Sequence, residues 1–230
     1  MTPHFSVIIP TRNREAYLAE AVQSVLTQTD VSLELLVVND GDALTRRFED
    51  RRVLVLDNGK RTAVPARNMG VAQAAGKYIA FLDDDDFWID PQHLAKSAEA
   101  FGKGADFYFA NGEMQFADGT RKVFDRNATA KSLEHDNTIL ISAVCYRQSI
   151  HQTLGTFDES LPYYWDWDWY LRVARAGFGL HHQKQPAVAI RVHANNMSGQ
   201  NDAARRANLD ALIHKHSLGP ILLKSHVDFV

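Results

Sequence analysis

Short apolar runs alternate with amphipathic stretches over the first half of the chain, from residue 5 to about residue 111. The apolar runs are as long as strands and rich in β-branched residues, whereas the amphipathic stretches repeat their apolar positions at helical spacing. This alternation predicts βαβ units, and therefore an α/β fold with a mostly parallel central sheet flanked by helices. The predicted strands cover residues 5–10, 35–38, 53–56, 78–82 and 107–109, and the predicted helices cover residues 15–28, 65–75 and 93–101. We expect Gly76 to cap the second helix.

The pattern changes after residue 111. Residues 113–124 predict a hairpin that turns at Asp118 and Gly119, and residues 126–137 form a polar stretch that we expect to be a mobile loop. No linker rich in Pro, Gly or Ser interrupts the chain, so we expect one domain over residues 1–230, with a first half of residues 1–111 and a smaller lobe of residues 112–230. The other predicted elements are strands at 139–144 and 187–192, an aromatic-rich loop and helix at 163–176, and a helix at 203–216.

Four consecutive aspartates follow the predicted strand 78–82 directly, and they are the most informative local feature of the chain: Asp83, Asp84, Asp85 and Asp86. Four neighbouring carboxylates repel one another at neutral pH unless a cation lies among them. A divalent metal is the obvious candidate, because hard divalent ions prefer oxygen ligands and Mg²⁺ combines one or two carboxylates with phosphate oxygens and water. The competing interpretation of an acidic strand end is a solvated turn or a helix cap.

Three other predicted strands of the first half also end in polar residues. In open parallel sheets, ligands bind outside the carboxyl ends of the strands, so these polar ends are expected to share one rim with the aspartate run. Four polar strand ends on one rim favour a binding site over four unrelated turns. The three further ends are Thr11-Arg12-Asn13, Asn39-Asp40 and Asp57-Asn58.

The net charge and the cysteine content of the chain indicate which partners and which cellular compartment to expect. The formal net charge of −3 gives no basic field that would hold the protein on nucleic acid, so we expect no nucleic-acid partner and at most peripheral contact with a membrane. Cys145 is the single cysteine and cannot form an internal disulfide. The strand pattern begins within a few residues of Met1, and no apolar run approaches the roughly 20 residues of a membrane span. We expect a cytoplasmic protein, either free or at the inner face of the membrane.

Four segments resemble the family 2 glycosyltransferases with the GT-A fold, in both their order and their spacing, within a resemblance that covers about residues 5–200. They are FSVIIPTRN at residues 5–13, VNDG at residues 38–41, ARNMG at residues 66–70 and GKYIAFLDDDD at residues 76–86. By this resemblance the first half binds a nucleotide diphosphate sugar, and an Asp-x-Asp motif holds Mg²⁺ or Mn²⁺ on the two phosphates. Asp83 and Asp85 correspond to the ends of the motif. Asp85 is the expected direct metal ligand, with Asp86 as the alternative.

The resemblance also implies which residues bind the donor nucleotide. Asp83 and Asp84 are assigned to the nucleotide sugar, and Arg67 faces the diphosphate or the nucleotide unless it forms a salt bridge to the acidic cluster instead. A UDP-sugar is the first expectation, although Asn39 stands where many relatives have an aspartate and leaves the base open. The base-binding elements of the family carry over to Pro10, Thr11, Arg12 and Asp40.

In the second half, the resemblance implies a general base and a late histidine. The family has a Glu-Asp pair before a helix that contains an arginine, and alignment through Arg172 makes Asp166 the base. Trp165 replaces the usual glutamate, so desolvation instead of a neighbouring charge would raise the pKa of Asp166. Asp168 is the alternative base. The segment around His193 resembles the Arg-x-His motif of the family, in which the histidine contacts the metal or the diphosphate.

These assignments predict a metal-dependent, inverting transfer of a sugar to an acceptor hydroxyl, in bacterial-type polysaccharide or glycoconjugate synthesis. The acceptor is a carbohydrate, a lipid-linked molecule or a protein, and it faces residues 111–113, 126–137 and 163–169, where exposed aromatic rings would stack on a sugar. Two alternatives remain. One is a nucleotide-sugar-binding protein without turnover, and the other is a sugar nucleotidylyltransferase, which would need a glycine-rich loop that residues 10–13 lack.

Overall fold

The computed structural model describes residues 3–59, 62–193, 196 and 202–230. Nine strands lie within these ranges: β1 (Phe5–Thr11), β2 (Leu33–Asn39), β3 (Val53–Asp57), β4 (Tyr78–Phe81), β5 (Phe87–Trp88), β6 (Phe107–Phe116), β7 (Arg121–Phe124), β8 (Val144–Arg147) and β9 (Leu180–Val192). The helices are α1 (Glu15–Leu26), α2 (Ala63–Gln73), α3 (His93–Gly102), α4 (Ile150–Leu154), α5 (Trp165–Arg175) and α6 (Asp202–His216).

All nine strands belong to one sheet, in which β7 pairs with β6 and the remaining strands follow the order β3-β2-β1-β4-β8-β6-β9-β5. The four strands β3, β2, β1 and β4 are parallel, as the alternating pattern predicted. The second half makes the sheet mixed, because β8 runs antiparallel to both β4 and β6. The α/β fold with a helix-flanked sheet is therefore confirmed, and the sheet draws strands from both halves of the chain.

Strands β1, β2 and β4 are buried on both faces of the sheet, which explains why they are almost continuously apolar. Every residue of β1 is buried, and successive side chains point to opposite faces. Phe5, Val7 and Ile9 pack in one hydrophobic cluster with the buried residues of α1. Ile8 packs on the other face in a cluster with the aromatic residues of α5. This second cluster fixes α5 against the sheet, and α5 carries the predicted base.

Two local predictions were wrong. Gly76 does not cap α2, because the helix ends at Gln73 and Ala74 leaves it in an extended conformation. Glycine is needed at position 76 for another reason: a Cβ there would lie 2.5 Å from the backbone nitrogen of Ser6. The chain between α2 and β4 can therefore pass this close to β1 only if residue 76 has no side chain.

The second wrong prediction was the strand at residues 139–144. Residues Ile141–Ala143 form a 3₁₀ turn, and β8 begins only at Val144. The turn lets the hydroxyl of Ser142 reach the aspartate run, and these tertiary hydrogen bonds outweigh the strand propensity of the sequence.

Residues 126–137 are also less simple than a polar loop. They contain a 3₁₀ turn at Ser132–Glu134, and the side chain of Leu133 is fully buried. The hairpin at 113–124 is confirmed by the pairing of β6 with β7. Throughout the described ranges, we find no helix with both the length and the apolar content needed to cross a membrane.

Candidate active site

A cavity of about 650 Å³ opens at the carboxyl ends of β1, β2 and β4 and reaches the first turn of α5. Its size is that of a pocket for a small molecule. His193 is not part of its wall and lies beside it, in contact with Asp85. Ten of the eleven site residues predicted from the sequence line the cavity: Pro10, Thr11, Arg12, Asp40, Arg67, Asp83, Asp84, Asp85, Asp86 and Asp166.

Three of the four aspartates converge on one point. Asp83, Asp85 and Asp86 can each direct a carboxylate oxygen so that the three oxygens lie within 4.8 Å of one another. Three hard oxygen ligands at this spacing fit Mg²⁺ or Mn²⁺, with further positions left for phosphate oxygens and water. The sequence-based assignment had placed Asp83 on the nucleotide sugar, whereas the geometry groups it with the two expected metal ligands.

Asp84 is not one of these three residues, and the end of β1 holds its carboxylate. Its Oδ2 accepts hydrogen bonds from the hydroxyl of Thr11 at 2.8 Å and from the backbone N–H of Arg12 at 3.3 Å. Burial raises the pKa of Asp84 to about 6. Asp84 thereby ties the aspartate run to two of the predicted nucleotide-binding residues.

Two arginines neutralise the acidic cluster. Nη1 of Arg14 lies 2.5 Å from Oδ2 of Asp85 and 3.3 Å from Oδ1 of Asp84. Arg67 forms an ion pair with Asp83, which is the alternative considered for it above, and it still lines the cavity. The guanidinium of Arg67 also lies 4.5 Å from the centre of the Trp165 ring, a cation–π contact that fixes its direction.

Asp86 is the most enclosed member of the run. The Ser142 hydroxyl donates to its Oδ2 at 2.6 Å, and the backbone N–H of Arg191 donates to its Oδ1 at 3.2 Å. Burial, followed by repulsion from Asp85 and Asp83, raises the pKa of Asp86 well above its ordinary value. A divalent ion beside Asp86 would reverse this shift, because opposite charge favours the ionised form.

His193 lies beside the cluster, at the end of β9. Its Nε2 is 3.1 Å from Oδ2 of Asp85, and its ring stacks on that of Tyr17 with a centroid separation of 6.1 Å. The guanidinium of Arg191 donates to the backbone carbonyl of Asp85 at 2.7 Å. The late segment of the chain therefore reaches back to the aspartate run, although a metal-binding role for His193 stays a prediction.

The predicted base-binding end of the cavity lies at the end of β2. Asp40 is buried and accepts a hydrogen bond from Nδ2 of Asn58 at 2.9 Å. Asn58 follows β3, so the strand ends of β2 and β3 meet at this point. Asn39 shapes the turn, since its Oδ1 accepts from the backbone N–H of Gly41 and its Nδ2 donates to the carbonyl of Asp42.

Asp166 lies in the first turn of α5 and lines the part of the cavity that this helix forms, which we call the acceptor end. Arg67 and Asp83 are near enough to act on its pKa, the first lowering it and the second raising it. Oδ2 of Asp166 accepts a hydrogen bond from Nδ2 of Asn137 at 2.9 Å, and its carboxylate also accepts from the backbone N–H of Trp167. Burial raises the pKa of Asp166 to about 6, and these two hydrogen bonds oppose the rise. A carboxyl with this pKa is ionised at neutral pH and is a stronger base than an exposed aspartate.

Asp168, the alternative base, is committed elsewhere. It is completely buried, and it contacts Arg172 at 2.9 Å, His216 at 2.8 Å and Lys215 at 2.6 Å. Asp168 does not line the cavity. Its contacts join α5 to the end of α6, which makes it a structural residue.

The tryptophan rings in residues 163–169 are not exposed. Trp165, Trp167 and Trp169 are 6%, 4% and 0% exposed, and Trp165 and Trp169 pack against Phe157 in the core. Tyr163 is half-buried and lines the cavity, so a ring that stacks on a sugar in this range stays a prediction.

Several residues that shape the site were not anticipated. Arg14 carried a signal in the sequence, since it stands next to the polar end of β1. In the structure, Asn13 before it has a positive φ of 55°, which turns the chain there. Ser142 and Asn137 carried none, because their partners Asp86 and Asp166 are 56 and 29 residues away in the chain.

Comparisons with known proteins agree with this geometry. The glycosyltransferase YwdF of Bacillus subtilis (strain 168), itself described as uncharacterized, is 32% identical over 238 residues, which cover 96% of this chain and 87% of YwdF. The UDP-Glc:alpha-D-GlcNAc-diphosphoundecaprenol beta-1,3-glucosyltransferase WfgD of Escherichia coli is 34% identical over 115 residues, covering 47% of this chain and 46% of WfgD. Only about half of WfgD is therefore matched.

Two solved structures share the fold at low sequence identity. S. aureus TarS 1-349 in complex with UDP-GlcNAc matches with a TM-score of 0.73 at 17% identity, over 92% of this chain and 66% of that chain. The mannosyltransferase PcManGT of Pyrobaculum calidifontis, in complex with GDP-Man and Mn²⁺, matches with a TM-score of 0.68 at 16% identity, over 94% of this chain and 64% of that chain.

The fold and the site define a glycosyltransferase with the GT-A fold. The sequence model named Glycosyl transferase family 2 matches residues 6–158. The chain belongs to this family, and the resemblance drawn from its motifs is confirmed.

Proposed function

We propose that this glycosyltransferase moves a sugar from a nucleotide diphosphate donor to an acceptor hydroxyl, with inversion at the anomeric carbon and with Mg²⁺ or Mn²⁺ as cofactor. The observation that carries the proposal is that one cavity is lined by two different acidic groups. An acidic cluster with the ligand chemistry for a divalent metal lies at the carboxyl ends of the strands, and Asp166, a buried carboxyl with a raised pKa, lies on α5. A donor seated between them would present its anomeric carbon to both.

The donor end is assigned from the charges of the cluster. Asp85 and Asp86 would hold the metal together with Asp83, and His193 is placed to contact the metal or the diphosphate. A bound divalent ion supplies Lewis-acid stabilisation of the negative charge that develops on the leaving diphosphate. Arg67 and Arg14 are close enough to the same carboxylates to assist with phosphate binding.

The nucleotide end is assigned to the residues around Asp40. A carboxylate there accepts hydrogen bonds from an N–H of the base or from ribose hydroxyls, and Pro10, Thr11 and Arg12 line the same part of the cavity. We infer a UDP-sugar as donor. TarS was solved with UDP-GlcNAc, whereas PcManGT was solved with GDP-Man, so both nucleotides belong in the test.

Asp166 is assigned as the general base. Its carboxylate would take the proton of the acceptor hydroxyl as the oxygen attacks the anomeric carbon from the face opposite the leaving group. A single displacement of this kind needs no nucleophile from the protein. Burial behind Trp165 keeps the base away from bulk water and raises its proton affinity without a neighbouring glutamate.

The acceptor class rests on the relatives. WfgD carries a lipid-linked acceptor in its name, and we infer a role in bacterial-type polysaccharide or glycoconjugate synthesis, with a carbohydrate, lipid-linked or protein acceptor. A net charge of −3 fits a protein without a nucleic-acid partner. We assign it to the cytoplasm, either free or in peripheral contact with the inner face of the membrane.

The proposal is tested by incubating the protein with UDP-, GDP-, CDP- and dTDP-sugars, with and without Mn²⁺, and by measuring release of the nucleoside diphosphate. Metal-dependent release from one donor supports the proposed function. Binding without release would indicate a nucleotide-sugar-binding protein. Consumption of a nucleoside triphosphate with a sugar phosphate would indicate a sugar nucleotidylyltransferase. The anomeric configuration of the product, determined by NMR, tests inversion.

A further inference from the structure

Asn137 is the side chain that connects the cavity wall to Asp166. Its Nδ2 donates to Oδ2 of Asp166 at 2.9 Å, and both residues line the cavity. Among the residues that the structure describes, the carboxamide has no other hydrogen-bond partner. Its one described hydrogen bond therefore directs the amide donor at Asp166.

The segment that carries Asn137 is fixed to α5 at a second point. The indole N–H of Trp167, the residue after Asp166, donates to the backbone carbonyl of Leu133 at 2.7 Å. Two hydrogen bonds therefore join residues 126–137 to the first turn of α5, one through each of two successive residues of the helix. Leu133 is fully buried, so the segment has an apolar anchor as well.

The last residues of the chain hold the same segment from the other side. The His226 ring makes a hydrogen bond to the backbone of Asn137, and Lys224 pairs with Asp136 at 2.6 Å. Arg126, at the start of the segment, donates to the carbonyl of Phe229 at 2.5 Å. Asn137 therefore lies between the C-terminal residues and α5, and contacts on both sides restrict the conformation of its side chain.

We propose that Asn137 is a positioning residue for the general base: its amide fixes the rotation of the Asp166 carboxylate, so that the acceptor hydroxyl meets a fixed oxygen. This inference rests on the proposed function, in which Asp166 takes the acceptor proton. Among the residues that the structure describes, the amide of Asn137 bonds to Asp166 and to none of the aspartates assigned to the metal. Its loss should therefore slow the chemical step and leave donor binding intact.

The test compares Asn137→Ala with Asn137→Asp. Aspartate has the shape of asparagine, but it replaces the amide donor with a second carboxyl that repels the Asp166 carboxylate and raises its pKa. Asn137→Ala removes the hydrogen bond without adding a charge, and it is therefore the variant that tests positioning alone. The probe is whichever of UDP-glucose, UDP-GlcNAc and GDP-mannose the wild-type protein hydrolyses in the presence of Mn²⁺, with water as acceptor. We expect both variants to lose about tenfold to a hundredfold in kcat, the cost of a misplaced catalytic group. The KM for the donor and the Kd for its nucleotide should stay within about twofold, since no donor contact is removed.

Two controls separate folding from positioning. Gln152→Ala removes an exposed amide side chain from α4, outside the cavity, and should change neither kcat nor KM. Thermal melting of each variant shows whether its loss of rate comes from unfolding. If Asn137→Ala keeps the wild-type kcat, or if both variants lose nucleotide affinity in proportion to kcat, the positioning role is wrong.

Asp166→Asn, assayed alongside, distinguishes this inference from the function beneath it. A large loss of kcat in Asp166→Asn with none in Asn137→Ala overturns the inference alone. An Asp166→Asn variant with wild-type kcat overturns the base assignment, and with it any role for Asn137. Absence of hydrolysis by the wild-type protein, with all three donors, would contradict the proposed reaction with these donors and the role inferred from it.

Discussion

The carboxylates at the donor end and at the acceptor end of the cavity have different kinds of partner. At the donor end, the aspartates are paired with guanidinium groups: Arg14 contacts Asp84 and Asp85, and Arg67 contacts Asp83. At the acceptor end, the hydrogen bonds that the structure describes for Asp166 come from neutral groups, the amide of Asn137 and a backbone N–H. At the donor end, positively charged side chains contact the carboxylates. At the acceptor end, the Asp166 carboxyl has a raised pKa and can accept a proton near neutral pH.

This difference matches the two tasks of the proposed reaction. A metal and a diphosphate bring charges of opposite sign to the donor end, where the aspartates can bind the metal and the two arginines can bind phosphate oxygens. A general base needs the opposite environment, because a neighbouring cation would lower its pKa and weaken it. Burial without a direct ion pair raises the pKa of Asp166 to about 6 instead. The following predictions test whether the two ends are as separate as this comparison suggests.

The largest effect is expected from Asp166→Asn. General-base catalysis contributes typically about 10²–10⁴-fold, so kcat should fall by that factor while the nucleotide Kd stays unchanged. Steady-state kinetics and calorimetric titration with the nucleotide measure the two quantities.

The matched variant Asp168→Asn should affect stability instead of kcat. It removes the charge that Arg172, Lys215 and His216 share, and it should lower the free energy of unfolding by about 2 kcal/mol. Equal losses of kcat in both variants would contradict the assignment.

The donor end should respond to Asp85→Asn through its metal affinity. Removal of one carboxylate from the group of Asp83, Asp85 and Asp86 should weaken Mn²⁺ binding by on the order of a hundredfold, since even supporting residues of metal sites contribute about 10–100-fold. Electron paramagnetic resonance of free Mn²⁺ measures the affinity directly. Asp57→Asn, at a strand end outside the cavity, serves as control. Unchanged Mn²⁺ binding in Asp85→Asn would mean that the acidic cluster is not the metal site.

The same division explains how far the sequence could predict the site. Donor-end residues follow strands, and a strand end is visible as an apolar run that stops at polar residues, so Asp40 and the aspartate run could be found without coordinates. The acceptor end is assembled by side chains that meet only in the folded chain. Nothing local in the sequence connects Asn137 to Asp166, or Ser142 to Asp86, because these pairs are joined by tertiary packing.

Fold prediction from the sequence failed at the same kind of position. The strand expected at 139–144 is partly a turn, because Ser142 bonds to the aspartate run. Glycine is required at position 76 because the backbone of Ser6 lies close to it, and not because it caps α2. The periodicity of apolar residues predicts which face of a helix or strand is buried. The Ser142 turn and Gly76 depend instead on residues of other elements that pack against them. The α/β class and the parallel first half required only periodicity, and both were correct.

With the metal and the donor both saturating, the pH dependence of kcat should report the protonation of Asp166. The folded pKa of Asp166 is raised from 3.8 to about 6, so the base is protonated and inactive at pH values where an exposed aspartate would still be ionised. At saturating donor, kcat should fall by about tenfold for each pH unit below 6. Asp84, with a pKa also raised to about 6, would affect kcat/KM through donor binding, and saturation removes that contribution. A kcat that stays constant down to pH 4.5 would contradict the raised pKa.

The smallest effect is expected from Arg14→Gln, and it tests whether the donor-end arginines exchange with the metal. Arg14 is one-third exposed and pairs with Oδ2 of Asp85, so its charge opposes a divalent ion at the same carboxylate. A partly exposed ion pair contributes about 0.2–1 kcal/mol, so Arg14→Gln should strengthen Mn²⁺ binding in the absence of nucleotide by at most about fivefold. Arg14→Lys keeps the charge and should bind Mn²⁺ as the wild-type protein does. Weaker binding in Arg14→Gln would mean that Arg14 orients Asp85 for the metal, and the donor end would then resemble the acceptor end, with its carboxylate held in place by a permanent partner.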